Sequence, residues 1–170
     1  MKPSFSCVLC LLVLLLCSAT SSRAADEEFA AFLRKFTSSA AFQYSRIRFP
    51  LRTPIVLLEE DGETERTFPF TREKWPLLDK ESLIEEHITE DDGGSYTSRF
   101  TVNEPAHKEF VSGYDETEPT LTVTFDLIDG RWYVTDCYTD WFNFDLPASE
   151  LENTLADIEE SNRLFMEEHP

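Results

Sequence analysis

Two β-patterned runs joined by Asp129-Gly130 constrain the fold of this chain more than any other stretch. They extend from Thr120 to Phe144 and alternate apolar with polar residues on both sides of the dipeptide. Asp-Gly favours a type I′ turn, because both central residues of that turn have positive φ, and a two-residue loop fixes the strand register. The sequence therefore predicts a long antiparallel hairpin in which Ile128 lies opposite Arg131.

The register predicts a different composition for each face of the hairpin, because successive side chains of a strand point to opposite sides. It places Asp126 opposite Tyr133 and Val123 opposite Asp136. One face is apolar apart from a single acid, and it comprises Leu121, Val123, Phe125, Leu127, Trp132, Val134, Asp136 and Tyr138. The other face is mostly polar and comprises Thr122, Thr124, Asp126, Ile128, Arg131, Tyr133, Thr135 and Cys137. We therefore expect the first face to form a wall of the core.

Asp136 is the candidate functional residue that this register singles out. A bare charge on an apolar face costs several kcal/mol unless it is paired or protonated. One interpretation is structural: an ion pair with Arg46, Arg48 or Arg99, or a position past the covered part of the sheet. We favour it because structural ion pairs also perturb carboxyl pKa values. The other interpretation is an acid in the mouth of a pocket, with a raised pKa that suits proton transfer.

The remaining candidate ligand-binding residues come from the same face and from a basic pair. Tyr138 and Trp132 share the apolar face with Asp136. Arg46 and Arg48 share one face of a predicted strand and are able to hold an anionic ligand. Neutralising neighbouring acids is the commoner role of such arginines and the one that we favour. These five residues form the predicted ligand site.

Residues 1–24 have the pattern of a secretory signal peptide. An almost unbroken apolar run from Phe5 to Cys17 follows an initial lysine, and Ser22-Arg23-Ala24 fits the small-x-small cleavage rule. The run is too short to span a membrane. We expect cleavage after Ala24 and a single domain over residues 25–170, exported to the periplasm or the cell surface. A lipid anchor at Cys17 is the second interpretation, ranked lower because a leucine precedes that cysteine.

Without its predicted leader the chain is strongly acidic and has a single cysteine. Removal of Lys2 and Arg23 leaves 13 basic residues against 33 acidic ones, a net charge of −20. Such an excess of acid argues against binding of nucleic acid or anionic lipid, which needs clustered Lys and Arg. Cys137 has no cysteine partner in this domain, so stability has to come from the core. We expect Cys137 to lie on the polar face and to be inert.

Helices are predicted near both ends of the domain, with strands between them. Phe29, Phe32, Leu33 and Phe36 form one apolar stripe in a helix over residues 26–38. A capping-box pattern over residues 149–152 opens a C-terminal helix. Further strands are expected at Phe42–Leu51, Ile55–Leu58, Thr64–Phe70, Thr97–Asn103 and His107–Tyr114, with a broken helical connection over Thr71–His87 and a turn at Glu90–Gly94. This order predicts an α+β fold.

Four of these stretches resemble a known family. They are the Phe-striped helix, FQYSRIRFPL over residues 42–51, the segment around Trp75, and the closing strand GRWYVTDCYTD over residues 130–140. Together they look like an uncharacterised family of exported proteins from anaerobic Gram-negative bacteria, a domain of unknown function. That family is similar in outline to the nuclear transport factor 2-like, or cystatin-like, cone. The resemblance implies a strongly curved antiparallel sheet wrapped around an N-terminal helix, and it implies no particular activity.

The sequence contains no recognisable motif for a cofactor or a metal ion. His87, His107 and His169 lack metal-ligand spacing, and no glycine-rich phosphate loop is present. The leading hypothesis is an exported, non-catalytic domain that binds a small molecule, peptide or protein in the cell envelope. The first alternative is a pocket enzyme, a hydrolase or isomerase with Asp136 as general acid or base. The second is a structural module that forms a homodimer through the polar hairpin face.

Overall fold

The computed structural model describes residues 26–89 and 94–169. The predicted signal peptide and most of the predicted turn at Glu90–Gly94 lie outside these ranges. In chain order the elements are α1 (Phe29–Phe36), α2 (Ala40–Ser45), β1 (Ile55–Leu58), β2 (Glu65–Phe68), β3 (Glu86–Thr89), β4 (Ser95–Asn103), β5 (His107–Tyr114), β6 (Leu121–Ile128), β7 (Arg131–Thr139) and α3 (Leu151–Glu168). Short 3₁₀ turns lie at Arg72–Lys74, Glu81–Leu83, Asp140–Phe142 and Ala148–Glu150.

Strands β3 to β7 form one curved antiparallel sheet in sequence order, and β1 pairs with β2 in a separate hairpin. Helix α1 packs on the sheet, and helix α3 follows β7 in the chain. An antiparallel sheet with helices before and after it confirms the predicted α+β class. Strand β3 is not among the predicted strands. Its four residues are all exposed, so it lacks the alternation of apolar and polar residues that identifies a half-buried strand.

The free edge of β7 is covered by the chain segment that follows α2. Arg48 N donates to the carbonyl of Val134 (3.0 Å), and Val134 N donates to the carbonyl of Arg46 (2.8 Å), in a parallel pairing. Such cover prevents the edge from pairing with another chain. The predicted strand at Phe42–Leu51 is therefore wrong in its first half, where α2 forms. Ser39 caps α2, because its Oγ accepts a hydrogen bond from Phe42 N (3.3 Å).

The organising hairpin forms as predicted near its turn and departs from the prediction further away. Asp129 and Gly130 both have positive φ, 51° and 77°, and Ile128 lies opposite Arg131. Asp126 lies opposite Tyr133, also as predicted. Beyond this point β7 contains a β-bulge: Val134 pairs with Phe125, Asp136 pairs with Thr124, and Thr135 is the extra residue.

The bulge exchanges the two faces for the rest of β7. Val123 lies opposite Cys137, and the predicted pairing of Val123 with Asp136 is wrong. Cys137 and Thr139 are buried, whereas Asp136 and Tyr138 are only partly buried. One extra residue in a strand moves every later side chain to the opposite face. The expected single acid on the apolar face is therefore absent from it.

Helix α1 buries its Phe stripe against the inner face of the sheet. Phe32 and Phe36 are fully buried, with ring centroids 5.9 and 6.0 Å from that of Phe125. Phe29 contacts Trp132 at 4.9 Å in an edge-to-face arrangement, which adds to the energy of simple burial. The helix is shorter than predicted, because the side chain of Glu28 caps it by accepting from the backbone N of residues 30 and 31.

A buried amide side chain joins α2 to a segment that has no regular structure. Gln43 Nε2 donates to the carbonyls of Phe36 (2.7 Å) and Leu78 (2.9 Å). Gln43 Oε1 accepts from Trp75 Nε1 (2.8 Å) and from Leu78 N (2.9 Å). A buried polar group is stable only when its hydrogen bonds are made, and here every donor and acceptor site of the amide is used. Gln43 therefore fixes the path of residues 75–78 through the core.

Helix α3 secures the same segment from the other side. Asn162 Oδ1 accepts from Leu77 N (2.6 Å), and Asn162 Nδ2 donates to the carbonyl of Trp75 (2.9 Å). Ile158 and Phe165 of the same helix are buried in the core. Two amide side chains thus supply the hydrogen bonds that a helix or a strand would otherwise give to this stretch.

Replacing Gln43 by Met tests this role. The volume of the side chain is nearly kept, but the backbone groups of Leu78 and the indole N–H of Trp75 lose their partners inside the core. We expect the free energy of unfolding to fall by about 3–5 kcal/mol in urea denaturation of residues 25–170. Ala41→Met on the exposed side of α2 is the matched control, with an expected change within about 0.5 kcal/mol. A loss below about 1 kcal/mol for Gln43→Met would contradict the role.

Candidate functional site

Asp136 lies outside the apolar face, which corrects the sequence prediction. Asp136 Oδ1 accepts from Thr53 N (3.0 Å) and from Cys137 N (3.0 Å), and Oδ2 accepts from Thr53 Oγ1 (2.8 Å). Its partners are thus backbone and hydroxyl groups rather than the predicted arginines. The carboxylate holds residue 53 against β7 immediately before β1 begins.

Arg46 and Trp132 are joined by Glu27, a residue that no pattern in the sequence singles out. Arg46 NH1 and NH2 donate to the two carboxylate oxygens of Glu27, at 2.9 and 3.1 Å. Trp132 N donates to the same carboxylate (3.0 Å), and its indole Nε1 donates to the carbonyl of Glu27 (2.9 Å). A bidentate pair of this kind fixes geometry well. Glu27 thus binds the segment before α1 to the start of β7, and neither Arg46 nor Trp132 is free for a ligand.

Arg48 and Tyr138 occupy two further environments. The guanidinium of Arg48 stacks on the ring of Tyr133, 4.1 Å from its centroid. Tyr138 lines a cavity of about 300 Å³ between β1 and the end of β7. Burial, and then the negative charge of Glu118, raise the pKa of Tyr138. The fold therefore brings Arg46 and Trp132 together, since Arg46 NH1 donates to the carbonyl of Trp132 (3.2 Å), but it does not gather all five residues of the predicted ligand site in one place.

Cys137 also lines that cavity, and it is buried rather than on the polar surface as predicted. Burial, and then the negative charge of Asp136, raise the pKa of the Cys137 thiol. A thiol reacts as its thiolate, so a buried thiol with a raised pKa is a poor nucleophile.

We expect a thiol-reactive dye to label Cys137 of the folded domain, residues 25–170, at least a hundredfold more slowly at pH 8 than in denaturant. The reason is that both thiolate formation and access require local unfolding. The measurement is the rate of absorbance change with and without urea. Equal rates under the two conditions would contradict the buried position of Cys137.

Among the described residues, the carboxylate of Asp126, on the outer face of the sheet, contacts three residues, whereas that of Asp136 contacts two. Asp126 Oδ1 lies 2.6 Å from His107 Nδ1, and Asp126 Oδ2 accepts from Thr135 Oγ1 (2.5 Å). Arg52 NH2 lies 3.6 Å from the same oxygen. Burial favours the neutral acid, but the hydrogen bonds from Thr135 and His107 and the charges of His107 and Arg52 outweigh it, so the pKa of Asp126 lies below its ordinary value. The bulged Thr135 is thus part of an ion cluster across β5, β6 and β7.

The lowered pKa of Asp126 predicts a pH-dependent contribution to stability. A group with a depressed folded-state pKa stabilises the fold above its unfolded value, here 3.8, and the contribution is lost as the pH falls through the folded pKa. We expect Asp126→Asn to lower the free energy of unfolding by about 1–2 kcal/mol at pH 7. The difference from the parent domain should shrink below pH 3.8.

The measurement is chemical denaturation between pH 7 and pH 3. Asp157→Asn, the same change at an exposed position of α3, should leave the unfolding free energy nearly unchanged. A constant difference between Asp126→Asn and the parent across the whole pH range would contradict the assignment.

A larger concave site lies beside α1, and we call it the α1 groove. Its volume is about 610 Å³. One wall is α1 itself and the opposite wall is the chain before β3. The residues that line it are Ala30, Leu33, Arg34, Thr37, Ser38, Lys80, Leu83, Ile84, Glu85, Phe100 and His169. The groove is mainly apolar, with charged side chains among its exposed residues.

The groove exists because the sheet covers only part of the apolar stripe of α1. Leu33 belongs to the stripe but is only partly buried, whereas Phe32 and Phe36 are fully buried. Phe100 of β4 packs on Phe29 (5.5 Å between centroids) and turns its remaining surface to the groove. The sequence gives Leu33 as a stripe residue, but periodicity alone does not indicate which stripe residues stay partly exposed.

The chain segment that forms the opposite wall runs antiparallel to α1. Leu78 is bound through Gln43 to the end of α1, so the chain enters the groove near that end. Glu85 is at the other end, where its Oε1 accepts from Phe100 N (3.2 Å) and Phe100 contacts Phe29. His169 contributes from the end of α3, where its ring lies 4.5 Å from that of Phe165.

Within residues 26–89 and 94–169, no three His, Cys, Asp or Glu side chains are grouped so as to hold a metal ion. A search of the same residues for a membrane-crossing helix, judged by length and apolar character, finds none.

The curved antiparallel sheet with α1 on its inner face defines a cystatin-like α+β protein. The chain belongs to an uncharacterised family, whose model matches residues 27–166. The predicted resemblance to an uncharacterised family with a cone-shaped fold is thereby confirmed. A comparison with curated proteins finds no match.

Three solved structures of Bacteroides proteins are similar to this chain. The crystal structure of a cystatin-like protein from Bacteroides caccae ATCC 43185 has a TM-score of 0.83 and 58% sequence identity, covering 86% of this chain and 98% of that one. The NMR structure of a protein from Bacteroides uniformis ATCC 8492 has a TM-score of 0.81 and 66% identity, covering 86% and 99%. The NMR structure of a protein from Bacteroides ovatus ATCC 8483 has a TM-score of 0.80 and 60% identity, covering 85% and 94%.

Proposed function

We propose that this protein is an exported, non-catalytic domain that binds a small, mainly apolar molecule in the α1 groove. The observation that carries the proposal is the groove itself. Its volume of about 610 Å³ is that of an ordinary small-molecule site, which typically measures about 300–1,000 Å³. Leu33, Leu83, Ile84 and Phe100 give it apolar walls, and Ile84 is exposed although it is large and apolar. A ligand on these walls would remove apolar surface from water.

The positions of the acids favour binding over catalysis. Asp136, the acid of the enzyme hypothesis, uses both oxygens to hold Thr53 and lies outside the α1 groove. Within the groove the carboxyl group is that of Glu85, and it accepts from the backbone N of Phe100. A general acid or base needs a group that is available to the substrate, so these contacts support a binding role.

The dimer hypothesis has less support than the groove. The polar face of the hairpin is crossed by the segment before β1, where Arg52 approaches Asp126 and Thr53 binds Asp136. A second copy would have to pack around this segment. The proposal of export is supported by the secretory pattern of residues 1–24. In the periplasm or at the cell surface, the groove would meet soluble ligands or ligands released from a membrane.

A series of primary alcohols from hexanol to decanol tests groove binding by NMR titration of residues 25–170. Each added CH₂ that is buried contributes about 0.8 kcal/mol, so we expect affinity to rise about fourfold per carbon. The largest chemical-shift changes should fall on Leu33, Ile84 and Phe100. Affinity that does not depend on chain length, or shift changes centred on another surface, would count against the groove.

Ala30→Glu places a carboxylate among the apolar walls and should weaken decanol binding at least tenfold, because the charge would lose water when the chain binds. Ala31→Glu is the matched control, since it makes the same change at the next position of α1 and does not line the groove. The control should bind decanol as the parent does. Equal affinity for the two variants would show that decanol binds elsewhere.

A further inference from the structure

We propose that the natural ligand of the α1 groove is an amphiphile with an anionic head group, which Arg34 and Lys80 hold while the apolar walls take its tail. This inference rests on the proposed groove binding and names the chemistry of its ligand. It concerns charge, whereas groove binding itself requires only apolar contact.

The charge of the groove is opposite to that of the chain. Acidic residues outnumber basic ones by 33 to 15 in the whole sequence. Among the lining residues, however, Arg34 and Lys80 carry positive charge against the single carboxylate of Glu85, whose Oε1 is bound to a backbone N–H. A concave site with a charge opposite to its surroundings attracts the complementary ion, and here the complementary ion is an anion.

The cations of the groove also differ from most cations elsewhere in the domain. Arg46, Arg52, Arg66 and Arg163 each pair with a carboxylate. Arg48, Arg72 and Lys108 lie over aromatic rings. Arg34 and Lys80 form no salt bridge and no aromatic contact with any residue that the structure describes, and both are exposed. The charge of Arg34 attracts the carboxylate of Glu28, but that carboxylate already caps α1.

The geometry places the two cations towards one end of the groove, and Phe100 with the backbone-bound Glu85 towards the other. Lys80 lies at the start of the opposite wall, towards the end of α1, because Leu78 is tied to that end by Gln43. Phe100 and Glu85 lie towards the beginning of α1, where Phe100 contacts Phe29. A ligand with its head group at Lys80 and Arg34 would therefore extend its tail along Leu33 and Leu83 towards Phe100. A linear amphiphile has this distribution of charge and apolar surface.

The test compares decanoate, decyl phosphate, 1-decanol and decylamine, which share a chain length and differ in head group. By NMR titration of the domain, residues 25–170, below micelle-forming concentrations, we expect both anions to bind about tenfold more tightly than decanol, and decylamine more weakly than decanol. Added NaCl should weaken the two anions and leave decanol unchanged, because salt screens exposed charges. Similar affinity of the two anions would indicate that the site recognises charge, whether the ligand is a fatty acid or a phosphate ester.

Substitution of the two cations assigns the effect to them. Arg34→Gln and Lys80→Gln should each weaken decanoate binding about threefold, and the double variant about tenfold, since exposed ion pairs contribute modestly. Decanol binding should stay within twofold. Lys35→Gln is the matched control: it removes the same charge from the next position of α1, which does not line the groove. It should change decanoate binding less than twofold.

The outcomes for the ligand and for the groove can be told apart. If decanoate and decanol bind equally and the double variant has no effect, the anionic head group is wrong and groove binding stands. If neither compound causes shift changes along the groove, both proposals are wrong. If decanoate binds more tightly than decanol, weakens in the double variant and keeps its affinity in Lys35→Gln, both are supported.

Discussion

The fold depends on the hydrogen bonds of one buried amide. Gln43 connects the last turn of α1 to residues 75–78, a stretch that crosses the core without regular secondary structure. Because unpaired backbone groups in a core are costly, this path is available to the chain only where side chains complete its hydrogen bonds. Gln43 also sets the point from which the following residues run back along α1. The opposite wall of the α1 groove is therefore a consequence of the same interaction.

A second constraint is the extra residue in β7. Thr135 interrupts the alternation of the strand, moves Cys137 into the core and turns Asp136 towards Thr53. The bulge thereby converts the most suggestive acid of the sequence into an anchor for the segment before β1. It also brings Thr135 to Asp126, where the ion cluster of the outer face forms. Bulges commonly re-aim side chains in this way.

The charged side chains have two kinds of role in this acidic domain. Glu27, Asp126 and Asp136 join segments that are distant in sequence, and each does so with several hydrogen bonds. Arg34 and Lys80 have no such partners among the described residues and stand beside apolar walls. This contrast separates the groups that maintain the fold from those that are free to meet a ligand. It is the physical basis of the proposal that the α1 groove binds a ligand.

The sequence by itself determined the α+β class, the Phe-striped helix and the type I′ turn at Asp129-Gly130, because these depend on neighbours a few positions apart. It did not determine the bulge at Thr135, because an inserted residue leaves the local alternation readable in either register and only contacts with other segments select one. The groove was equally out of reach, since the partial exposure of Leu33 depends on how much of the stripe the sheet covers. Tertiary structure therefore decided which residues meet, and with that the place of the candidate site.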